Sequence, residues 1–276
     1  MIKILGVFNE ITNTTIPIEN FNLLCEEKYK KHAFSYFTND VDANEVIKNF
    51  NTGSIDKLRA VGKLSIFNRI RTLCKLIKIE KFDIIHIHHT VSSLLVIFIS
   101  FYLQPKSKIV FTVHNDYNYY KWFQKIIFKI VLNNVDYIIC NSINTKKSIL
   151  KICPQENISV IYNGVNTNKI PEPLNEKSES IKLLFAARLV PQKNILQLLH
   201  AIHKLSINNL KFEFLLVGDG PQMTLVKDFV NDRNLNDQVK IFGKLKRNEV
   251  YGLMNSSDIF IVPSIFEGFC NAMVEA

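Results

Sequence analysis

The chain has too few cysteines, in the wrong arrangement, for a disulfide framework or a zinc centre. There are five (Cys25, Cys74, Cys140, Cys153, Cys270), an odd number with no C-x-x-C pair among them. Thiols in that pattern point to a reducing compartment. An apolar run long enough to cross a bilayer is also missing. The longest, Val91 to Leu103, is thirteen residues broken by serines, against the roughly 20 that a spanning helix needs. It reads as a buried helix. No secretory leader is expected either, because Met1-Ile-Lys-Ile-Leu-Gly reads as a first strand rather than a charged segment ahead of an apolar one. Repeats of solenoid length and low-complexity tracts are absent. What is present is an ordinary globular composition, 47% hydrophobic and 21% charged over 276 residues. Such a chain buries real cores and is long enough for two domains.

The formal charge of +9 is unevenly spread. Residues 1–165 carry 21 Lys and Arg against 13 Asp and Glu, while residues 166–276 carry 13 against 12. Within the first half the cations cluster at Lys57, Arg59, Lys63, Arg69, Arg71, Lys75, Lys78 and Lys81, with apolar residues between them. Much of that stretch reads as a basic amphipathic helix, either a solvated face or one suited to an anionic membrane surface. Nucleic acid is not expected as a partner, because the cluster lacks interleaved aromatics and no nucleic-acid motif accompanies it.

Short β-branched runs alternate with longer helical patterns, the signature of βαβ units and parallel sheets. Strands are expected at Lys3–Phe8, Ala33–Phe37, Ile84–His88, Ile109–Val113, Tyr137–Cys140 and Ser159–Ile161. Helices are expected at Thr52–Ile79, Ser92–Leu103, Tyr119–Asn133 and Asn144–Lys151. Residues 166–180, polar with two prolines, read as a linker. Beyond it come strands at Ile181–Ala186, Phe212–Val217, Val239–Phe242 and Ile259–Pro263, with helices at Ile195–Leu205, Met223–Asn234 and Arg247–Asn255. The reading is α/β: a domain over residues 1–165 and a second over 181–276, two Rossmann-like halves facing a cleft. In open α/β sheets, ligands sit beyond the carboxyl ends of the strands.

The residues richest in chemistry lie at the end, in Pro263-Ser264-Ile265-Phe266-Glu267-Gly268-Phe269-Cys270-Asn271-Ala272-Met273-Val274-Glu275-Ala276. An apolar strand stops, a glycine allows close approach, and a helix pattern begins around Phe269–Asn271. Two carboxylates bracket the turn, Glu267 ahead of the helix and Glu275 about two turns along it. Free N–H groups of a first helical turn receive phosphate, and carboxylates accept hydrogen bonds from vicinal hydroxyls. Two glutamates at this spacing are also ordinary capping and surface residues. In Phe185-Ala186-Ala187-Arg188-Leu189-Val190-Pro191-Gln192-Lys193-Asn194, two cations five residues apart sit in a strand-to-helix loop, where they can grip a diphosphate. Leu215-Leu216-Val217-Gly218-Asp219-Gly220-Pro221 ends a strand in a glycine turn but fails as a dinucleotide fingerprint. In the first half, Phe111-Thr112-Val113-His114-Asn115-Asp116 ends a strand on a histidine. Ile84-Ile85-His86-Ile87-His88-His89 spaces histidines as metal ligands sometimes are, but with no acidic or cysteine ligand nearby it reads as packing.

Taken together, these segments resemble family 4 glycosyltransferases, retaining enzymes of the GT-B fold, from Lys3 to Ala276. Pro263, Ser264, Glu267, Gly268, Phe269 and Glu275 match the family's E-x7-E signature. Arg188 and Lys193 match its G-R-L-x-x-x-K loop, with Ala187 in place of the glycine. The Val217–Pro221 turn, Val160-Ile161-Tyr162-Asn163-Gly164-Val165-Asn166 and the H-x-H strand match further motifs. The glycine pair that family members have after the first strand is replaced by Gly6-Val7-Phe8-Asn9-Glu10-Ile11, which puts donor contacts from the first half in doubt.

The resemblance implies transfer of a hexosyl group from a nucleotide diphosphate sugar to an acceptor hydroxyl, with retention, by front-face displacement, and without a metal or other cofactor. It assigns the leaving diphosphate to Arg188, Lys193 and helix N–H groups, sugar hydroxyls to Glu267, and ribose to Glu275. Gly243, Lys244 and Leu245 meet the base, Gly268 and Phe269 line the donor, and His114 lines the sugar or acceptor. The expected partners are the donor, a lipid-linked or saccharide acceptor for surface polysaccharide or glycolipid synthesis, and an anionic membrane surface on the cytoplasmic side. The family's second domain continues past its E-x7-E helix, so an incomplete domain is expected at the C-terminus. The competing reading is a truncated relic that binds nucleotide sugar weakly or not at all. An epimerase or phosphorylase of the same fold would share the Arg188/Lys193 pair but not the E-x7-E turn.

Overall fold

A computed structural model of the protein describes residues 1–8, 21, 28–35, 55, 57–88, 90–165, 180–208 and 210–276. The chain forms two compact units, Met1–Gly164 and Val165–Ala276. Residues 166–179, most of the expected linker, lie outside the described residues, as do His89 and the segment 9–11 that follows the first strand.

The first unit is built on strands β1 (Ile2–Phe8), β2 (Tyr29–Ser35), β3 (Lys57–Ala60), β4 (Ile84–Ile87), β5 (Lys108–Val113), β6 (Tyr137–Cys140) and β7 (Ile158–Val160). They form one sheet in the order β3-β2-β1-β4-β5-β6-β7, and every pair is parallel. Parallel strands are covered on both faces, which is why β1 reads as a continuous apolar run and is buried from Ile4 to Phe8. Helices α1 (Ile66–Glu80), α2 (Thr90–Leu103), α3 (Trp122–Leu132) and α4 (Ile143–Leu150) alternate with the later strands. Ser65 starts α1 by accepting a hydrogen bond from the Asn68 amide, and Ser142 starts α4 in the same way through Thr145. Leu73 and Ile77 of α1, Val96 and Ile97 of α2, and Phe128 and Val131 of α3 share one core with Leu5, Val7, Ile85, Ile87 and Phe111 of the sheet.

The structure departs from two expectations in this unit. The helix expected over Thr52–Ile79 is in fact a strand, β3, followed by α1. Lys57-Leu58-Arg59-Ala60 pairs with His32 to Ser35 at the sheet edge, and partner pairing overrides its helix-compatible composition. Arg59, exposed on β3, also guards that edge. The second strand begins at Tyr29 rather than Ala33. Lys30 and Lys31 disguised its start, yet the register Ile2↔Tyr29 draws both into the sheet.

The second unit has strands β8 (Ile181–Ala186), β9 (Phe212–Val217), β10 (Val239–Gly243) and β11 (Ile259–Phe260). Their order is β10-β9-β8-β11, again all parallel. Its helices are α5 (Ile195–Ile207), α6 (Met223–Asp232), α7 (Arg247–Asn255) and α8 (Asn271–Glu275). One sheet face packs Phe185, Phe214 and Leu216 against Leu199, Ile202 and Val226. The other packs Leu184, Leu215 and Val217 against Val250, Leu253 and Met254. The strand expected over Ile259–Pro263 is shorter, ending at Phe260.

Candidate active site

The loop between β8 and α5 is fixed before its cations are considered. The Ala187 amide donates to the Val217 carbonyl at 3.1 Å, the Leu189 amide to the Asp219 carbonyl at 2.9 Å, and the Gln222 amide back to the Leu189 carbonyl at 3.1 Å. Gly218 makes this contact feasible. It has φ +139°, and a Cβ there would lie 1.8 Å from the Ala187 carbonyl oxygen. The glycine turn after β9 is therefore a brace for the loop, in keeping with its failure as a nucleotide fingerprint. Leu189 is fully buried beside Arg188, whose side chain is exposed. Among the described residues the guanidinium has no hydrogen-bond or ion-pair partner.

A 3₁₀ turn (Pro191–Lys193) follows and ends on Asn194 in the left-handed region at φ 55°. That geometry brings the loop onto the segment after β11. Ile265 donates its amide to the Gln192 carbonyl at 2.9 Å. Gln192 Nε2 donates to the Phe266 carbonyl at 2.9 Å and Asn194 Nδ2 to the Pro263 carbonyl at 3.3 Å. Lys193 Nζ pairs with Glu267 Oε1, each side chain 22% exposed. Two groups 74 residues apart in sequence are thus joined through their side chains.

Glu275 is held by a second cation. Arg247 Nη2 donates to Glu275 Oε1 at 2.5 Å and Arg247 Nε donates to the Tyr251 hydroxyl at 2.6 Å, while that hydroxyl donates to Glu275 Oε1 at 3.1 Å. Burial, with the Glu275 carboxylate adding to it, lifts the Tyr251 phenol to about 12, so the hydroxyl stays a donor. Sequence reasoning missed Arg247 and Tyr251. Their only trace is a cation and a phenol four apart on one helix face. Glu275 is the last residue of α8, which begins at Asn271, so it lies about one turn along the helix rather than two.

Gly243, at φ +69°, ends β10 and accepts the Gly218 amide at 2.8 Å. Lys244 is exposed, and Leu245 packs against the cluster of Leu184, Leu215 and Val217 just before α7. Gly268 is buried and Phe269 half-buried. Arg188, Lys193, Glu267, Glu275 and the Gly243–Leu245 loop all follow carboxyl ends of β8, β10 and β11 in the second unit.

In the first unit, His114 follows β5, and Asn141 Nδ2 donates to its carbonyl at 2.8 Å. Asp116 caps the next turn by accepting from the Asn118 amide at 2.8 Å. His86 and His88 lie on one side of β4 with ring centroids 4.0 Å apart; His88 stacks on Phe8 at 4.7 Å and lies 5.6 Å from His114. His86 Nε2 hydrogen-bonds Thr112 Oγ1 at 2.7 Å. Burial first, and then neighbouring imidazoles, pull His86 down to about 3 and His88 well below its ordinary value. No group of three His, Cys, Asp or Glu side chains among the described residues is placed to hold a metal ion.

The depressed histidines carry a pH prediction. A folded pKa lowered from 6.5 means that the unfolded chain binds more protons between about pH 6.5 and pH 3. Stability is then full above pH 6.5 and falls by about 1.4 kcal/mol per pH unit for each histidine below it. Denaturant midpoints measured from pH 7.5 to 4.5 should show this slope, and H86Q/H88Q should flatten it.

The profile described as Glycosyltransferase Family 4 matches residues 25–169, and that described as Glycosyl transferases group 1 matches residues 166–276. A UDP-Gal:alpha-D-GlcNAc-diphosphoundecaprenol alpha-1,3-galactosyltransferase of Escherichia coli is 31% identical over 246 residues, covering 79% of this chain and 61% of the relative. One component of the human phosphatidylinositol N-acetylglucosaminyltransferase is 27% identical over 218 residues, covering 77% and 45%. The chain thus spans about half to three-fifths of these relatives. Among solved structures, Anabaena HepE in complex with UDP and glucose superposes over 100% of this chain and 78% of its own, with a TM-score of 0.79 at 16% identity. The crystal structure of TarM gives a TM-score of 0.79 at 12% identity, over 100% of this chain and 82% of its own.

Proposed function

The chain belongs to glycosyltransferase family 4 and has the GT-B fold, and on that premise we propose that it moves a hexosyl group from a nucleotide diphosphate sugar to an acceptor hydroxyl with retention. The observation that best supports this is the pairing of each signature glutamate with its own cation, Glu267 with Lys193 and Glu275 with Arg247. Arg188, on the same loop as Lys193, stays exposed and, among the described residues, unpaired. An acidic residue fixed by a cation keeps its remaining lone pairs for hydroxyl donors. Arg188 offers a planar fork to a diphosphate, and Lys193 a point charge shared between Glu267 and the leaving group.

In the proposed reaction the acceptor oxygen bonds to the anomeric carbon on the face from which the diphosphate departs. The leaving oxygen takes the bonding pair, and the acceptor proton passes to a phosphate oxygen. Charge building on that phosphate is met by preorganised cations, so little reorganisation is needed at the moment of reaction. Glu267 holds sugar hydroxyls, Glu275 the ribose, and Gly243, Lys244 and Leu245 border the base. Gly268 and Phe269 line the donor between the two glutamates. His114 serves the sugar or the acceptor from the first unit.

The acceptor is proposed to be lipid-linked, in keeping with the diphosphoundecaprenol and phosphatidylinositol in the names of the E. coli and human relatives, and the site of action to be the cytoplasmic side of the cell membrane. The chemistry is tested by offering the purified protein a panel of UDP- and GDP-sugars with a saccharide diphosphate lipid. Retention predicts that an α-linked donor gives an α-linked product by NMR; a β-linked product contradicts it. The Glu275 assignment has its own readout. Removing a hydrogen bond to a charged group costs about 1.5–3 kcal/mol, so Arg247→Ala should raise the donor KM by about 10- to 100-fold. Tyr251→Phe should raise it only a few-fold, because Arg247 stays on the carboxylate.

A further inference from the structure

A chain of buried polar side chains ends on the loop that carries His114. Asn141 directly follows β6 and is 3% exposed, and Thr145 and Ser148 of α4 are 0% and 4% exposed. A backbone carbonyl can only accept, so the bond from Asn141 Nδ2 to the His114 carbonyl fixes which way the amide faces. Its Oδ1 then accepts from Thr145 Oγ1 at 3.1 Å. Having given its own proton, the Thr145 hydroxyl accepts from Ser142 Oγ at 2.9 Å. Ser142 Oγ in turn accepts from the Thr145 amide at 3.1 Å, the bond that starts α4. From the helix start to the His114 carbonyl, every donor points one way.

The same loop is held at further points. The Asn141 amide donates to the Val113 carbonyl at 3.3 Å. The Tyr117 amide donates to Ser148 Oγ at 3.2 Å, and Ser148 Oγ donates to the Thr145 carbonyl at 2.9 Å. On the ring side, His114 stacks on His88 with planes 27° apart, and His88 on Phe8 with planes 12° apart. Each hydrogen bond contributes only about 0.5–1.5 kcal/mol net, and apolar side chains at 141 and 145 would avoid burying polar atoms at all. What the network supplies beyond stability is one orientation, because a fully satisfied buried network is rigid and specific. It converges with the ring stack on His114.

We propose that Asn141 is a positioning residue for the transfer reaction, holding the His114 backbone so that the imidazole, stacked on His88, meets the sugar or the acceptor at a fixed angle. Asn141 acts through His114 rather than on the reacting atoms, and Ser142 and Thr145 act through Asn141. The inference rests on the role proposed above for His114. Asp at 141 has the same shape but no donor, and would set a carboxylate oxygen against the His114 carbonyl. Val at 145 keeps the shape of Thr and removes the hydroxyl, whereas Ser keeps the hydroxyl. These substitutions separate the hydrogen-bond relay from packing.

Steady-state kinetics on the whole chain test it, with the saccharide diphosphate lipid and the UDP- or GDP-sugar that the panel above selects. N141A and N141D should each lower kcat/KM for transfer by about tenfold or more, since a small misplacement of a group at the reacting centre costs up to about 10² in rate. Calorimetric affinity for UDP and GDP should stay at the parent value, because no residue of the donor loop is changed. T145V should follow N141A at smaller amplitude, and T145S, which restores the hydroxyl, should recover the parent rate. In an H114A background N141A should cost less than about twofold more, since the group it positions is gone. A merely structural role would add its full loss there. Thermal melts show which variants are folded, and T145V against T145S carries the test if substitutions at 141 do not fold. An H114A variant as active as the parent, or a parent without transferase activity, would remove the reading of His114 and the inference with it. An impaired H114A beside N141D and T145V at parent rates would overturn the inference alone, as would full additivity of the N141A and H114A losses.

Discussion

Replacing Lys193 with alanine is expected to lower kcat/KM for sugar transfer by about 10³-fold, with Glu267→Ala costing about as much and the double variant little more than either. Two costs combine in the single changes. A cation placed where negative charge develops is worth about 10²–10³ in rate when removed. Stripping one partner from a largely buried ion pair leaves the other uncompensated, a penalty of about 3–5 kcal/mol. Both side chains are only 22% exposed, so solvent cannot take over the lost partner's role. Because the two groups act as one unit, their effects should not add. A double-mutant cycle on kcat/KM reads this directly. Additive losses would mean that Lys193 and Glu267 work separately, and that their pairing is only packing.

The second large effect is expected at a residue with no side chain of its own. Gly218→Ala should destabilise the protein by about 3 kcal/mol or more and cost donor affinity at least tenfold. The substitution places a Cβ 1.8 Å from the Ala187 carbonyl oxygen, and that obstacle is backbone, so no rotamer change relieves it. The backbone also holds φ +139°, which an L-residue side chain resists. Something must move, and the element in the way is the loop that carries Arg188. Gly252 is the control. A Cβ there meets nothing within 4 Å, and it lies inside α7, where Ala is a better helix former than Gly. Gly252→Ala should therefore be neutral or slightly stabilising. Urea midpoints on the three proteins check both statements.

How much of this was legible beforehand follows from what each signal depends on. Tyr137–Cys140, Ile181–Ala186, Phe212–Val217 and Arg247–Asn255 are found at their expected bounds, because each is a periodic run between turn residues. β3 was hidden because Lys57 and Arg59 sit on an edge strand, whose identity is decided by the neighbour it pairs with rather than by its own pattern. The run from Val91 to Leu103 reads as buried in sequence and is so on one side only. Apolarity all round a helix does not say which side the core takes. In the second unit the charged residues were visible one by one, but not their partners. The Lys193–Glu267 pair depends on Asn194 in a left-handed conformation and on the Gln192 bonds, which turn the loop onto a segment 74 residues away. Arg247 and Tyr251 look like any helix surface until α8 is set against them. His86 and His88, read as packing residues, are close to Phe8 and Thr112, two contacts that strand alternation alone does not give.

The most direct test is isothermal titration of UDP- and GDP-sugars into the parent protein and into R188A and E267A. Binding of at least one donor by the parent, with affinity reduced about tenfold or more in each variant, is the predicted result. Undiminished affinity in both variants would contradict the placement of the donor's diphosphate and sugar at this loop.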